Sequence, residues 1–226
     1  MLYTKQAAQD NLRNRDGKRV FYLGKGDQLT SDARDFLNRE RIAILPAEQA
    51  KPQRYGLLGG GYVEEKPEHM THLNGDVLVP KTHPRIRFRG AMDTLEAEIL
   101  LCQAELSLDA LGEVLALARN ILRWDVLEEP VKEEALLGLS QQELRQRSHR
   151  PQDFYGHPHF MPQVSDGIRV LRLNKVRCAA RAAELAAAEA FCDRDGQVTR
   201  PDILRALNRM SSAVYILMIQ EKANRK

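Results

Sequence analysis

The stretch Leu173 to Phe191, LNKVRCAARAAELAAAEAF, decides how the chain is read. Leu173, Val176, Ala180, Ala183, Ala187 and Phe191 recur at three-to-four spacing, the period of one apolar face of a helix. Asn174, Arg177, Arg181 and Glu184 recur at three, four and three, so they form a polar stripe beside it. Alanines next to the arginines leave room for a ligand or a neighbouring helix to come close. Taken alone, the polar stripe is also what an ordinary solvated face looks like, with Arg181 and Glu184 forming a helix pair. Matching features on two other helices give it more weight.

Working outward, the last 28 residues extend the pattern. Thr199-Arg200-Pro201 starts a helix with proline in its first turn. That helix buries Ile203, Leu207, Met210, Val214 and Leu217, and aligns Asn208, Ser211, Ser212 and Tyr215 as a polar strip. Upstream, Ala91 to Ser107 carries Leu95, Ile99, Cys102 and Leu106 at helical spacing, and Leu108 to Leu127 repeats the period. Ser140 and Glu143 form a capping box for a shorter helix. A loop is expected from Pro151 to Pro162, and a turn from Asp193 to Gly196. Four long amphipathic segments with short or medium connections predict a mostly α protein, an antiparallel bundle of four or five helices over residues 81–226.

Residues 1–50 read as a small α/β unit. Arg19 to Leu23 and Ile42 to Leu45 are candidate strands, and Thr30 or Ser31 caps a short helix through Asn38. Residues 51–80, rich in Gly and Pro, read as a linker. Gly24-Lys25-Gly26 lacks the GxxxxGK[ST] spacing of a P-loop. His69 and His72 have no Cys or further His nearby, which argues against a metal site.

The 226 residues include 34 basic and 31 acidic side chains, a near balance that gives no bulk attraction to nucleic acid. No apolar run approaches the ~18 residues of a membrane span. The N-terminus has no apolar signal core, and Cys102, Cys178 and Cys192 form no disulfide framework, so a cytoplasmic location is expected. Di-iron chemistry in a helix bundle needs Glu-x-x-His, and no glutamate here has a histidine three residues on. A nucleophile elbow is missing too. What remains is a set of cations, Lys81, Arg85, Arg177 and Arg181, with amides at Asn174 and Asn208. Fixed cations and amides suit a polyphosphate.

The run Lys81-Thr82-His83-Pro84-Arg85, continuing to Gly90-Ala91-Met92-Asp93-Thr94-Leu95, resembles the K-x-x-P-R…G-x-L-D-x-L signature of ATP:cob(I)alamin adenosyltransferases. Arg177, Arg181 and Glu184 match that family's R-x-x-x-R-x-x-E element, and Leu207-Asn208-Arg209-Met210-Ser211 its L-N-R-L-S element. The resemblance covers roughly residues 66 to 222. KPEHMTHL (66–73), LTSDARDFL (29–37) and LNRMSSAVYILMI (207–219) are most similar to the ethanolamine-utilisation type. Two features depart from the family. The T-G-D-x-G loop that wraps ATP phosphates in propanediol-type enzymes is missing. KPQRYGLLGGGYVEE (51–65) lacks the cysteine cluster that binds a divalent metal in some ethanolamine-type enzymes, so no site metal of that kind is expected.

The resemblance implies a ferritin-like bundle that transfers the 5′-deoxyadenosyl group of ATP to cob(I)alamin and releases triphosphate. ATP, Mg²⁺ and a corrinoid are then the small molecules involved. Lys81, Arg85, Arg181, Glu184 and Asn208 would contact ATP. Asp93 and Arg177 would pair across a subunit interface, in a homo-oligomer for which a trimer is favoured over a dimer. Family enzymes reach Co(I) by removing the lower axial ligand and placing apolar groups under cobalt. Phe154, Tyr155, Phe160 and Met161 are the candidates here, with plain packing of that loop as the alternative. His157 and His159 as cobalt ligands would oppose the four-coordinate state. The implied partners are ethanolamine ammonia-lyase, a corrinoid reductase and a bacterial microcompartment shell. A cobalamin-binding escort without turnover is the competing reading.

Overall fold

Local capping and spacing set most of the element boundaries. The computed structural model describes residues 1–15, 17–50, 54–193 and 195–224. The chain is mostly helical and divides into two units, Met1–Val79 and Pro80–Lys226.

The first unit opens with β1 (Leu2–Tyr3), α1 (Lys5–Asp10), β2 (Leu12–Arg15), β3 (Lys18–Leu23), β4 (Gln28–Leu29), α2 (Ser31–Arg39) and β5 (Ala43–Pro46). β3 pairs antiparallel with β2 and parallel with β5, and α2 makes the crossover that a parallel pair requires. The Thr30 hydroxyl caps α2 by accepting the Ala33 N–H at 3.3 Å. Ala33, Phe36 and Leu37, on one face of α2, pack with Phe21, Ile42 and Ala8 in a local core.

The stretch expected as a linker is built differently. Residues 51–53 lie outside the described residues, but the remainder carries β6 (Tyr55–Leu57), β7 (Tyr62–Val63), β8 (Met70–Asn74) and β9 (Val77–Pro80). They form a sheet in the order β7-β6-β9-β8. The glycines that suggested a linker are turn residues. Gly60 and Gly61 have φ of 97° and 83°, conformations that side chains disfavour, and the Leu57 N–H donates to the Gly61 carbonyl at 3.1 Å. Leu73, Leu78 and Val79 are buried, so these short strands have apolar anchors that period-2 reading overlooked.

The second unit holds α3 (Pro84–Leu106), α4 (Ala110–Leu127), α5 (Gln141–His149), α6 (Pro151–Tyr155), α7 (Gly167–Phe191) and α8 (Pro201–Ala223). All six residues of the quoted apolar stripe are buried, and α7 packs against both α3 and α8. Its alanines let the neighbouring backbones approach closely. Ser140 and Glu143 make the capping box at α5, with the Glu143 N–H to Ser140 Oγ at 3.3 Å and the Ser140 N–H to Glu143 Oε2 at 2.9 Å. The Ser140 N–H, and the Ser140 hydroxyl donating to the same oxygen at 2.7 Å, hold the Glu143 carboxyl below its ordinary pKa. The 151–162 segment is only partly a loop: Pro151 begins α6, and Gly156 ends it at φ 63°. Residue 194 of the expected 193–196 turn lies outside the described residues. Cys102 is buried, and burial together with Glu105 pushes its thiol up to about 11, which keeps it inert at neutral pH. Among the described residues no helix is long and apolar enough to cross a membrane.

The start of α3 yields a pH prediction. His83 is its N-cap, and Nδ1 accepts the Arg85 N–H at 3.2 Å, which requires an unprotonated nitrogen. Burial, then Arg85 and Arg89, holds the His83 pKa below its ordinary 6.5. The unfolded chain therefore takes up a proton near that pH that the folded chain refuses. This contribution to stability is complete above the unfolded value and is lost as pH falls through it. Urea midpoints should fall from about pH 7.5 to about pH 5.5. His83→Asn keeps a capping acceptor without titrating and should flatten that slope; an unchanged slope would place the dependence elsewhere.

Candidate functional site

The polar stripe of α7 and the polar strip of α8 face a common cavity of about 520 Å³. Arg177 and Arg181 come from α7, and Asn208, Ser211, Ser212 and Tyr215 from α8. The end of α5 adds Ser148 and His149, and the segment after α6 adds His159, Phe160, Met161 and Pro162. One wall is therefore cationic and amidic, and the other is aromatic and apolar.

The polar wall is only partly neutralised. Asn208 Nδ2 donates to Glu184 Oε1 at 2.9 Å, which ties α8 to α7 and orients the amide. Glu184 thus pairs with Asn208 rather than with Arg181, its expected helix partner. Arg177 donates Nε and Nη2 to Asn174 Oδ1 at 3.1 and 2.9 Å, a neutral partner that leaves its charge in place. Arg181 is exposed and has no hydrogen-bond or ion-pair partner among the described residues. A guanidinium held at a cavity wall without a carboxylate suits an anionic ligand.

The apolar wall is built around Tyr215. Its ring lies nearly parallel to those of His159 and Phe160, with centroids 5.7 and 6.0 Å away. Lys222 Nζ sits 4.1 Å over the Phe160 ring and 2.8 Å from Asp166 Oδ1, closing that side. Met161, at 83% exposure, is the apolar tip of the segment. Both ring nitrogens of His159 are engaged within the chain, Nδ1 with the Tyr215 hydroxyl and Nε2 with the His149 carbonyl, each at 3.1 Å.

Of the residues singled out from sequence, Arg177, Arg181, Asn208, Phe160 and Met161 line this cavity, and Glu184 adjoins it through Asn208. Phe154 does not. It belongs to α6, lies under the Arg147 guanidinium at 5.4 Å, and faces a neighbouring cavity of about 450 Å³ with Arg145, Gln146, His149, Arg150 and Asp153. A helix where a loop was expected turns it away from Phe160. Lys81 lies just before α3 and Asp93 is exposed on α3; neither lines the cavity.

Arg85 does not line the cavity either. Its Nε and Nη2 reach Asp125 Oδ1 at 3.1 and 3.0 Å, Nη2 also donates to the Asp125 carbonyl at 2.8 Å, and Nη1 reaches Glu128 at 3.1 Å. Its donors are directed at Asp125 and Glu128, so it clasps α3 to the end of α4. Ser148, His149 and Tyr215 were not among the candidates. Tyr215 shares the face of Asn208 and could have been ranked, whereas His149 has no sequence signal. Among the described residues no three His, Cys, Asp or Glu side chains gather as metal ligands.

A family model described as cobalamin adenosyltransferase matches residues 61–221, which span the cavity and every helix around it. The chain belongs to the cobalamin adenosyltransferase family. It is 39% identical over 224 residues to the corrinoid adenosyltransferase EutT of Salmonella typhimurium strain LT2, with 88% of this chain and 84% of that relative covered. The corrinoid adenosyltransferase EutT of Escherichia coli K12 is 39% identical over the same coverage. No solved structure matches the chain. The matched span includes Arg181 and the aromatic wall around Tyr215.

Proposed function

We propose that this chain is a corrinoid adenosyltransferase, moving the 5′-deoxyadenosyl group of ATP to cob(I)alamin with release of triphosphate. The observation that carries the reading is the two-sided cavity. Arg181, Arg177 and Asn208 offer charge and an amide on one wall, while Phe160 and Met161 offer apolar surface on the other. Co(I) is itself the nucleophile, so no protein base is needed. It forms a bond to the ribose C5′, the C5′–O bond breaks, and the electron pair leaves on triphosphate. Charge grows on that leaving oxygen, and a positioned cation lowers the barrier. Arg181 is assigned this role, with Asn208, oriented by Glu184, fixing ATP; Lys81, outside the cavity of its own protomer, would supply a further cation where the site is shared between subunits. Mg²⁺ arrives with ATP as part of the substrate. An apolar wall suits Co(I), which holds no axial base.

In this reading α3, α4, α7 and α8 form an antiparallel bundle of ferritin-like topology, and residues 81–226 are the adenosyltransferase domain. The 1–50 unit would dock the enzyme to ethanolamine ammonia-lyase or to a microcompartment shell. A corrinoid reductase would supply the electron. The site would be shared in a homo-oligomer, a trimer before a dimer, with Asp93 reaching Arg177 of the partner subunit. Exposure of Asp93 on α3 supports that assignment.

The deciding experiment is anaerobic. Purified protein with cob(I)alamin, Mg²⁺ and ATP, without added iron or zinc, should give the spectrum of adenosylcobalamin and one triphosphate per turnover. Corrinoid binding without turnover would instead indicate an escort protein, and ATP affinity by calorimetry separates the two.

A further inference from the structure

Tyr215 joins the two walls of the cavity through one side chain. Its hydroxyl accepts the Phe160 backbone N–H at 3.3 Å and lies 3.1 Å from His159 Nδ1. The His149 carbonyl, 3.1 Å from His159 Nε2, can only accept, so Nε2 carries the imidazole proton. Nδ1 of the neutral ring is then an acceptor, and the Tyr215 O–H donates to it. A directed chain results, from the Phe160 N–H through the Tyr215 hydroxyl and His159 to the end of α5. On its face, the same tyrosine holds the Arg177 guanidinium, whose carbon is 6.0 Å from the ring centroid. No residue of the 157–162 segment belongs to a helix or strand, so its position depends on these contacts and on Lys222.

We propose that Tyr215 is a positioning residue for adenosyl transfer. Its hydroxyl fixes the segment that carries Phe160 and Met161, and its ring sets the place of Arg177, so the apolar wall and the cationic wall keep a constant separation. This rests on reading the cavity as the place where a reduced corrinoid meets ATP. Substrate and leaving group must be aligned in line with cobalt, and small displacements of either wall are costly.

Tyr215→Phe keeps the ring and removes only the hydroxyl. The corrinoid KM should rise by about tenfold, because the Phe160 N–H and His159 Nδ1 lose their partner, while the ATP KM stays within about twofold. Hydrogen exchange at the Phe160 amide should quicken in the same variant. His159→Gln should cost less when added to Tyr215→Phe than it does alone, since the two side chains share one hydrogen bond. An unchanged corrinoid KM, an equal rise in both KM values, or full additivity of the two substitutions overturns the proposal. Should the wild type bind neither substrate, the adenosyltransferase reading fails by itself. Amide exchange at Phe160 then still decides whether Tyr215 holds the segment, with unaltered exchange rejecting that role.

Discussion

Arg181→Ala should lower kcat/KM by about 10²–10³-fold, the range seen when one donor to a developing negative charge is removed. The far-UV circular dichroism and urea midpoint should not move. Arg181 is exposed and has no partner among the described residues, so its removal breaks no internal contact and leaves no buried charge. Alanine is also at least as good a helix former as arginine, and α7 is already anchored by its buried stripe. The effect should fall mainly on kcat, because the charge that Arg181 meets is greatest once the C5′–O bond is breaking. Arg181→Lys keeps the charge but not the planar fork and should recover only part of the activity. An Arg181→Ala variant that unfolds would recast the side chain as structural. One that turns over normally would remove it from the site.

The helices were legible because their signals are local. The α7 stripe is a period, the α5 start is a capping box, and the α8 start is a proline at its first position. The same locality explains why Arg177, Arg181 and Asn208 could be picked: same-face spacing on two adjacent helices brings them to one wall. What was not legible depends on long-range contacts or on exceptions to composition. Arg85 has partners 40 and 43 residues further on, which no local spacing could indicate. The 54–80 sheet was hidden because its strands are two to five residues long and all its glycines but Gly56 sit between strands. Phe154 and Phe160 were grouped by nearness in sequence, yet the helical turn that Pro151 starts separates them. His149 reaches the cavity only because α5 ends there.

Asp125→Ala should cost about 3–5 kcal/mol of stability, the range for removing one partner of a buried ion pair. Asp125 has 0% exposure and takes Arg85 on Oδ1 and Arg89 Nε on Oδ2, the latter at 2.7 Å. Without it, two guanidiniums on the first turns of α3 lose their shared carboxylate, and Arg85 keeps only the residue-125 carbonyl and the half-exposed Glu128. Arg89 is the worse placed, since its buried Nη2 already has no partner. Arg85→Met should cost clearly less, because Asp125 keeps Arg89 and the methionine stem can still cover Phe191, over which Arg85 lies at 5.9 Å. Equilibrium urea unfolding measures both variants, and their order is the informative result. It also decides what Arg85 does. A clasp residue changes the unfolding midpoint and leaves the ATP KM nearly untouched, whereas a phosphate ligand does the reverse. A raised ATP KM with full stability in Arg85→Met would return Arg85 to the binding site. That outcome would require its contacts to Asp125 and Glu128 to open when nucleotide arrives.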